Sequence, residues 1–311
     1  MQLRYDDDFL EAAVFLCASG RRSGVPPLQI TRFHRKREQL YSILDPDERN
    51  AAFFKLHLDW FREWGLEQPL TDVLNEFPLV RERLAVLAVR KSTGKNDEGA
   101  ELYVNEAGQR TGLLALKTER LTNHATLRDF LRHEFMHLHD MLDPVFGYSP
   151  ALDLPGLNAA QIRLARERYR LLWDITIDGR LAAAGHVPLQ PREQHAAAFA
   201  RGYSFWPEAR QAATFASLWQ NPTPRQTDIL ALIADPRGLR DAHRPAPGAP
   251  CPLCDFPTFH WADTRTLALE IRQRIAAEFP AWLPDQGLCN RCLETYQAAS
   301  PSEPAPAVAG G

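Results

Sequence analysis

Apolar residues recur every three to four positions between residues 126 and 142. This spacing predicts one amphipathic helix, because side chains three and four positions apart share a face. The stretch has no Pro or Gly, Thr122 or Asn123 can cap its start, and Asp143-Pro144 ends the pattern. We therefore predict a helix that buries one face, formed by Leu131, Phe135, Leu138 and Leu142.

Three strands are predicted directly before this helix, at residues 84–90, 100–105 and 113–117, where β-branched or apolar runs alternate with Gly-containing turns. Residues 5–80, a segment from about 158 to 184, and residues 192–233 have helical spacing instead. The pattern as a whole predicts a mostly helical α+β fold. Its sheet is expected to be small and antiparallel.

The predicted helix contains the string His133-Glu-Phe-Met-His137. Two histidines four positions apart on a helix can bind one Zn²⁺, and Glu134 beside them can act as general base toward the water on that ion. The chemistry that this permits is metal-assisted hydrolysis. The alternative is a pair of core histidines satisfied by hydrogen bonds.

A third ligand is needed, and the helix predicted near residues 158–184 carries two carboxylates four apart, Asp174 and Asp178. Here the sequence resembles the gluzincin type of zinc metallopeptidase, in which a later helix supplies an acidic ligand and, four residues on, an Asp that orients the first histidine. The resemblance implies that Asp174 binds the zinc and that Asp178 orients His133. It also implies a zincin-like domain.

The usual acidic ligand of that family is Glu, and Asp is one methylene shorter. Glu167 and Asp140 therefore remain alternative ligands. A further interpretation makes Asp174 and Asp178 ordinary helix acids, paired with basic residues at nearby positions, Arg170 and Arg180.

In proteins of that resemblance, the strand nearest the metal helix presents an edge to which an extended substrate adds. Residues 113–117 are our candidate for this edge, and an internal strand is the alternative interpretation. A further electrophile would stabilise the oxyanion. No spacing selects among the four conceivable residues, which are Tyr148, Tyr169, His186 and Tyr203.

Four of the five cysteines form two Cys-x-x-Cys pairs, Cys251 with Cys254 and Cys289 with Cys292. Four thiolates make the closed set of a structural Zn²⁺ site, and the module resembles a treble-clef or ribbon finger. Helices are predicted at about residues 263–278 and from residue 293. Disulfides are the competing interpretation and need an oxidising compartment. The segment is acidic overall, which makes nucleic acid an unlikely partner and favours a protein partner.

The chain of 311 residues has a formal net charge of −3 and 45% hydrophobic residues. We expect an N-terminal helical region at 1–80, a zincin-like core at 81–234, a linker at 235–250, the finger at 251–299 and a disordered tail at 300–311. The start lacks the features of a secretory signal, and no apolar run approaches about 18 residues. These observations favour a cytoplasmic protein without membrane contact, in which the single Cys17 is a core thiol.

Together the motifs predict a zinc-dependent metallopeptidase with one catalytic and one structural Zn²⁺, acting on a peptide or protein substrate. The alternative function is a non-catalytic zinc protein whose finger docks a protein partner. A third hypothesis is hydrolysis of a non-peptide amide.

Overall fold

The computed structural model of the chain describes residues 1–20, 25–94, 97–152, 154, 157, 159–234, 236, 245 and 248–298. The chain divides into two compact units, one formed by Met1–Asp153 with Arg163–Ile233 and the other by Leu154–Ile162 with Ala234–Gly311. The predicted tail at 300–311 and most of the predicted linker at 235–250 lie outside the described residues.

The larger unit is mostly helical and contains a small sheet. This confirms the predicted mostly helical α+β fold class. Its first half runs β1 (Gln2–Tyr5), α1 (Asp7–Ala18), α2 (Pro27–Leu40), α3 (Pro46–Glu63), α4 (Gln68–Asn75), α5 (Pro78–Arg83), β2 (Val86–Lys91), β3 (Gly99–Val104) and β4 (Arg110–Leu116). A short 3-10 helix (Thr118–Thr122) then leads to α6 (His124–Leu142), α7 (Ala159–Ala183), α8 (Arg192–Gly202), α9 (Glu208–Trp219) and α10 (Gln226–Ala234).

The sheet is mixed, so the prediction of an antiparallel sheet is wrong. Its strand order is β1-β2-β4-β3, in which β1 and β4 pair parallel with β2 and only β3 and β4 pair antiparallel. The strand β1 lies in the region predicted to be helical, at 1–80. It is four residues long, too short to establish a period, and its place is set by pairing from Gln2↔Val86 to Tyr5↔Val89.

The strand β4 lies inside the sheet, between β2 and β3. Residues 113–117 are therefore not an edge, and the open edge on this side belongs to β3. Burial explains the arrangement, since Leu114, Ala115 and Leu116 of β4 are buried whereas Glu101 and Tyr103 of β3 are exposed. An interior strand buries both of its faces, whereas an edge strand can keep a polar one.

Helix α6 packs over this sheet and begins where the sequence places a cap. The Asn123 side chain accepts hydrogen bonds from the amides of Ala125 and Thr126, which would otherwise lack partners at the helix start. The predicted apolar face is buried in the main core, in which Leu131, Phe135 and Leu138 have no exposed surface. His133 and His137 lie on the same helix, next to this buried apolar face.

The smaller unit has little regular structure outside two helices, α11 (Leu269–Glu278) and α12 (Asn290–Ala298). The residues from 264 to 266 form a short 3-10 turn, so α11 starts later than the predicted position 263. Its core consists of a few apolar side chains and two of the cysteines, centred on Ile275 and Leu288. In the part of the chain that the structure describes, no helix is both long enough and apolar enough to cross a membrane.

Candidate metal centres

Helices α6 and α7 bring three metal-binding side chains together. His133 and His137 lie one turn apart on α6, with ring centroids separated by 5.0 Å. Asp174 reaches them from α7, and its Oδ1 is 3.1 Å from His137 Nε2 and 3.7 Å from His133 Nε2. Ligand atoms of the three residues all lie within 4.8 Å of one another.

These separations match the spacing of donors around a tetrahedral zinc ion. Bonds of about 2.0–2.1 Å place neighbouring donors about 3.3–3.4 Å apart, because a tetrahedron's edge is about 1.63 times its centre-to-corner distance. The two measured distances from the Asp174 oxygen lie on either side of that value. Two imidazoles and one carboxylate are also a donor set that Zn²⁺ accepts, so the residues fit the ion.

The two alternative acidic ligands lie elsewhere. Asp140 is buried, but its oxygens accept hydrogen bonds from the guanidinium of Arg180, at 2.8 and 2.6 Å, and from the indole nitrogen of Trp173 at 2.7 Å. Glu167 is exposed on α7. The structure therefore brings Asp174, and neither alternative, to the two histidines.

Asp178 lies four residues further along α7 with no exposed surface. Its Oδ1 is 2.8 Å from His133 Nδ1 and accepts the amide of Leu189 at 3.0 Å. Its Oδ2 is 2.7 Å from His195 Nε2 and accepts the amide of Gln190 at 2.9 Å. Contact with His133 through Nδ1 leaves Nε2 of that ring directed at Asp174, and it fixes the ring's orientation as a metal ligand requires.

The interpretation of the two carboxylates as ordinary helix acids does not agree with these contacts. Asp174 and Asp178 face histidines, and Arg180 pairs with Asp140 instead. Sequence reasoning missed both His195 and the role of Asp140. No spacing relates His195, on α8, to the earlier motifs, so only the folded chain shows this contact.

The electrostatics of the cluster follow from its alternation of acids and imidazoles. Burial lowers the pKa of His133, but hydrogen bonds with Asp174 and Asp178 outweigh burial and raise that pKa to about 10. Burial raises the pKa of Asp174, but its contacts with His133 and His137 hold it well below its usual range. The carboxylates on either side of the ring therefore favour its protonated form.

Glu134 is buried beside the histidines and is held by the sheet edge. Its Oε2 accepts the backbone N–H of Ala100, on β3, at 2.7 Å. Backbone groups of an antiparallel strand alternate between the paired and the open side, so this contact places the N–H of Ala100 on the open edge. The carboxylate is therefore fixed between the metal-binding helix and the strand that borders the site.

A cleft of about 670 Å³ contains the three donors and Glu134. Tyr148 and Tyr169, two of the four conceivable electrophiles, also line it, and burial raises the pKa of Tyr148. Tyr203 lies instead in an aromatic cluster with Phe199, their ring centroids 4.6 Å apart. The fourth, His186, lies beyond the end of α7 and is not among the residues that line this cleft.

The four cysteines of the smaller unit form a second group. Cys251 Sγ is 3.9 Å from Cys292 Sγ, and Cys254 Sγ is 3.8 Å from Cys289 Sγ. Zinc–sulfur bonds of about 2.3 Å predict tetrahedral edges of about 3.8 Å, whereas a disulfide needs about 2.05 Å. All four are free thiols, so the structure shows a metal-type cluster and not the disulfides of the competing interpretation.

Backbone amides support this cluster. The amide of Cys289 donates to Cys251 Sγ, and that of Cys292 donates to Cys289 Sγ, each at 3.4 Å. Burial raises the pKa of Cys251, but the amides around it lower it to about 7. Amides that face sulfur stabilise thiolates, which are the form that binds a metal ion.

Comparison of the chain with known protein families, with curated proteins and with solved structures finds no match. The interpretation of function therefore depends on the chain's own geometry. In the described residues, two groups of side chains could hold a metal ion, one of two histidines and an aspartate and one of four cysteines. Their chemistry differs, because three protein donors are typical of catalytic zinc and four cysteines of structural zinc.

Proposed function

We propose that the protein is a zinc-dependent metallopeptidase of the gluzincin type. One observation carries the proposal: His133, His137 and Asp174 converge at tetrahedral spacing inside a cleft, with Glu134 beside them. A structural site has no need of a cleft or of a buried carboxylate next to its ligands. Both features are requirements of metal-assisted hydrolysis.

Zinc bound by these three side chains would supply a water of lowered pKa and an electrophile for the substrate carbonyl. The Glu134 carboxylate takes a proton from the attacking water, whose oxygen bonds to the carbonyl carbon. The carbon–nitrogen bond then breaks, and Glu134 returns the proton to the leaving nitrogen. Asp178 holds the ring of His133 in one orientation through this cycle.

The open edge of β3 suits an extended peptide backbone. Since the N–H of Ala100 is directed away from β4, strand alternation directs the N–H and C=O of Leu102 to the same side. A substrate strand can pair with these groups and so lie alongside the cleft. The proposal thus assigns peptide binding to β3, where the sequence alone favoured residues 113–117.

The test combines zinc counting with hydrolysis of a mixed peptide pool. We expect two zinc ions per chain in the parent and in Glu134→Gln, and one in His137→Ala. Both variants should lose hydrolysis, because the first lacks the base and the second lacks the metal. Full activity of Glu134→Gln would contradict the proposed mechanism, and hydrolysis of non-peptide amides alone would leave the zinc chemistry but change the substrate class.

A second candidate function has one observation in its favour. The smaller unit exposes two large aromatic side chains, Phe256 at 67% and Phe259 at 70%. Exposed apolar groups of this size are common at protein-docking surfaces. The second candidate is therefore a non-catalytic zinc protein whose finger docks a protein partner. It predicts two bound zinc ions and no hydrolysis of any peptide in the pool by the parent protein.

A further inference from the structure

The wall of the cleft that α7 forms is a single stripe of five side chains. Residues at positions 166, 169, 170, 173 and 174 line the cleft, and steps of three and one keep them on one face of a helix. Asp174 is at one end of the stripe, and Arg166 and Arg170 extend it toward the helix start. Two guanidinium groups therefore lie in the same cleft as the metal-binding residues.

The other charged groups of the cleft have partners within the chain. Arg90 pairs with Asp97 at 2.6 Å, and Glu98 pairs with Arg120 at 2.7 Å and with Lys117 at 2.8 Å. These pairs neutralise most of the charge on the sheet side of the cleft. Glu101, which also lines the cleft, is in no ion pair with a described residue, and its carboxylate accepts a hydrogen bond from the Tyr103 hydroxyl.

Asp174 and Glu134, which also line the cleft, are engaged as well. Asp174 faces the histidines, and Glu134 accepts the amide of Ala100. In contrast, Arg166 and Arg170 have no ion pair or side-chain hydrogen bond with any residue that the structure describes. Both are exposed to solvent within the cleft. Among the described residues, they are the arginines of the cleft that lack an internal counter-charge.

We infer that Arg166 and Arg170 form a subsite for a carboxylate of the substrate peptide; the inference rests on the proposed function for the identity of the ligand. A rise of about 1.5 Å per residue places Arg170 about 6 Å and Arg166 about 12 Å along the helix from Asp174. An extended peptide advances about 3.3 Å per residue. The carboxylate should thus lie two to four residues from the bond that is cleaved, on one side of it.

Two sources of the carboxylate are distinguishable, an acidic side chain and the free C-terminus of the peptide. The probes are fluorescently labelled peptides of ten residues, composed of Ala and Leu and blocked at both ends except where a free end is stated. One set moves a single Glu through each position, a matched set has Gln there, and a third has no Glu but a free C-terminal carboxylate. Binding is measured by fluorescence anisotropy on the zinc-loaded Glu134→Gln protein, which cannot consume the peptide.

We expect the best Glu peptide, or the free-carboxylate peptide, to bind about threefold to fivefold more tightly than its neutral counterpart for each arginine engaged, as for a partly solvated ion pair. Adding Arg170→Gln or Arg166→Gln should remove the corresponding part of the preference. Arg201→Gln, which removes an equal charge from an exposed position outside the cleft, should leave it unchanged.

Equal binding of acidic and neutral peptides, or no binding of either, would overturn the inference. So would a preference that survives Arg166→Gln and Arg170→Gln together. The proposed function is tested separately by hydrolysis in the parent protein. Peptides that bind with the expected preference but are never cleaved would contradict the peptidase and leave the carboxylate subsite in place.

Discussion

Asp178→Asn is the substitution that most directly tests how the helical site is held together. Asp178 is fully buried, and each of its oxygens faces one histidine nitrogen and one backbone amide. Asparagine has almost the same shape but replaces one accepting oxygen with a donating NH₂. Two of the four groups around it would then meet a donor where they now meet an acceptor.

The less costly orientation of the new amide can be worked out from these contacts. If its oxygen stays toward His133 and Leu189, the NH₂ faces His195 and the amide of Gln190. His195 can change tautomer and accept, but the backbone N–H loses its acceptor. One buried donor without an acceptor costs about 1–3 kcal/mol of folding free energy.

Zinc binding should weaken as well. The hydrogen bond to His133 survives in that orientation, but the negative charge that increases the basicity of the ring is gone. Loss of such a partner weakens metal affinity about 10-fold to 100-fold, and retention of the hydrogen bond favours the lower end. We therefore expect a loss of about 1–3 kcal/mol in the free energy of unfolding and an approximately 10-fold weaker helical zinc site.

Urea denaturation of zinc-free protein measures the first quantity, and competition with a chelator measures the second. Asp174→Asn is the matched control, because Asp174 is 27% exposed and its contacts are to the two histidines. That variant should lose more zinc affinity and less stability than Asp178→Asn. The reasoning is refuted if Asp178→Asn unfolds within about 0.5 kcal/mol of the parent, the range of ordinary surface substitutions, and binds zinc equally well.

Three further predictions concern the edge strand β3, the contact between α7 and α9, and the proton on His133. Leu102→Pro should raise KM for peptides, because it removes an open-edge N–H, whereas Leu102→Ala, which also loses packing against the core but keeps that N–H, should leave KM unchanged. Gly179→Ala would place the new Cβ 2.0 Å from a backbone oxygen of α9. Urea denaturation should therefore show that the free energy of unfolding falls by at least about 2 kcal/mol. The control Gly202→Ala should change the free energy of unfolding little, because a Cβ there would meet its nearest neighbour at an ordinary contact distance. The pKa of His133 is raised to about 10, so zinc must displace a proton from that ring in order to bind. Chelator competition should therefore show that the zinc affinity of the helical site falls about tenfold for each pH unit from pH 8 to pH 6. A zinc affinity that stays constant over this range would contradict the prediction.

The local features of the candidate site were predictable because helix geometry fixes distances between residues close in sequence. The pair His133 and His137 needs only a helix to share a face, and the same holds for Asp174 and Asp178. The start of α6 was predicted to within one residue, because Thr122 and Asn123 can both cap a helix. The Cys-x-x-Cys pairs are similarly self-contained.

Contacts between distant segments were not predictable in this way. Asp140 lies seven residues after His133 on the same helix, so spacing alone makes it as good a ligand as Asp174. The deciding fact is that Arg180 and Trp173 engage it from α7. The contact between His195 and Asp178 likewise depends on where α8 packs. No pattern in the sequence predicts the position of that helix.

The order of the strands shows what a stricter interpretation of the same sequence would have detected. Strands that follow one another suggest a meander, which would put β3 in the middle. However, β4 contains the run Leu113-Leu-Ala-Leu116, nearly continuous in apolar residues and therefore typical of a strand covered on both faces. In β3, Glu101 and Tyr103 alternate with apolar neighbours, as in a strand with one solvated face. Composition thus favoured β3 as the edge, and the proposed peptide-binding strand changes with it, because only an edge can accept another backbone.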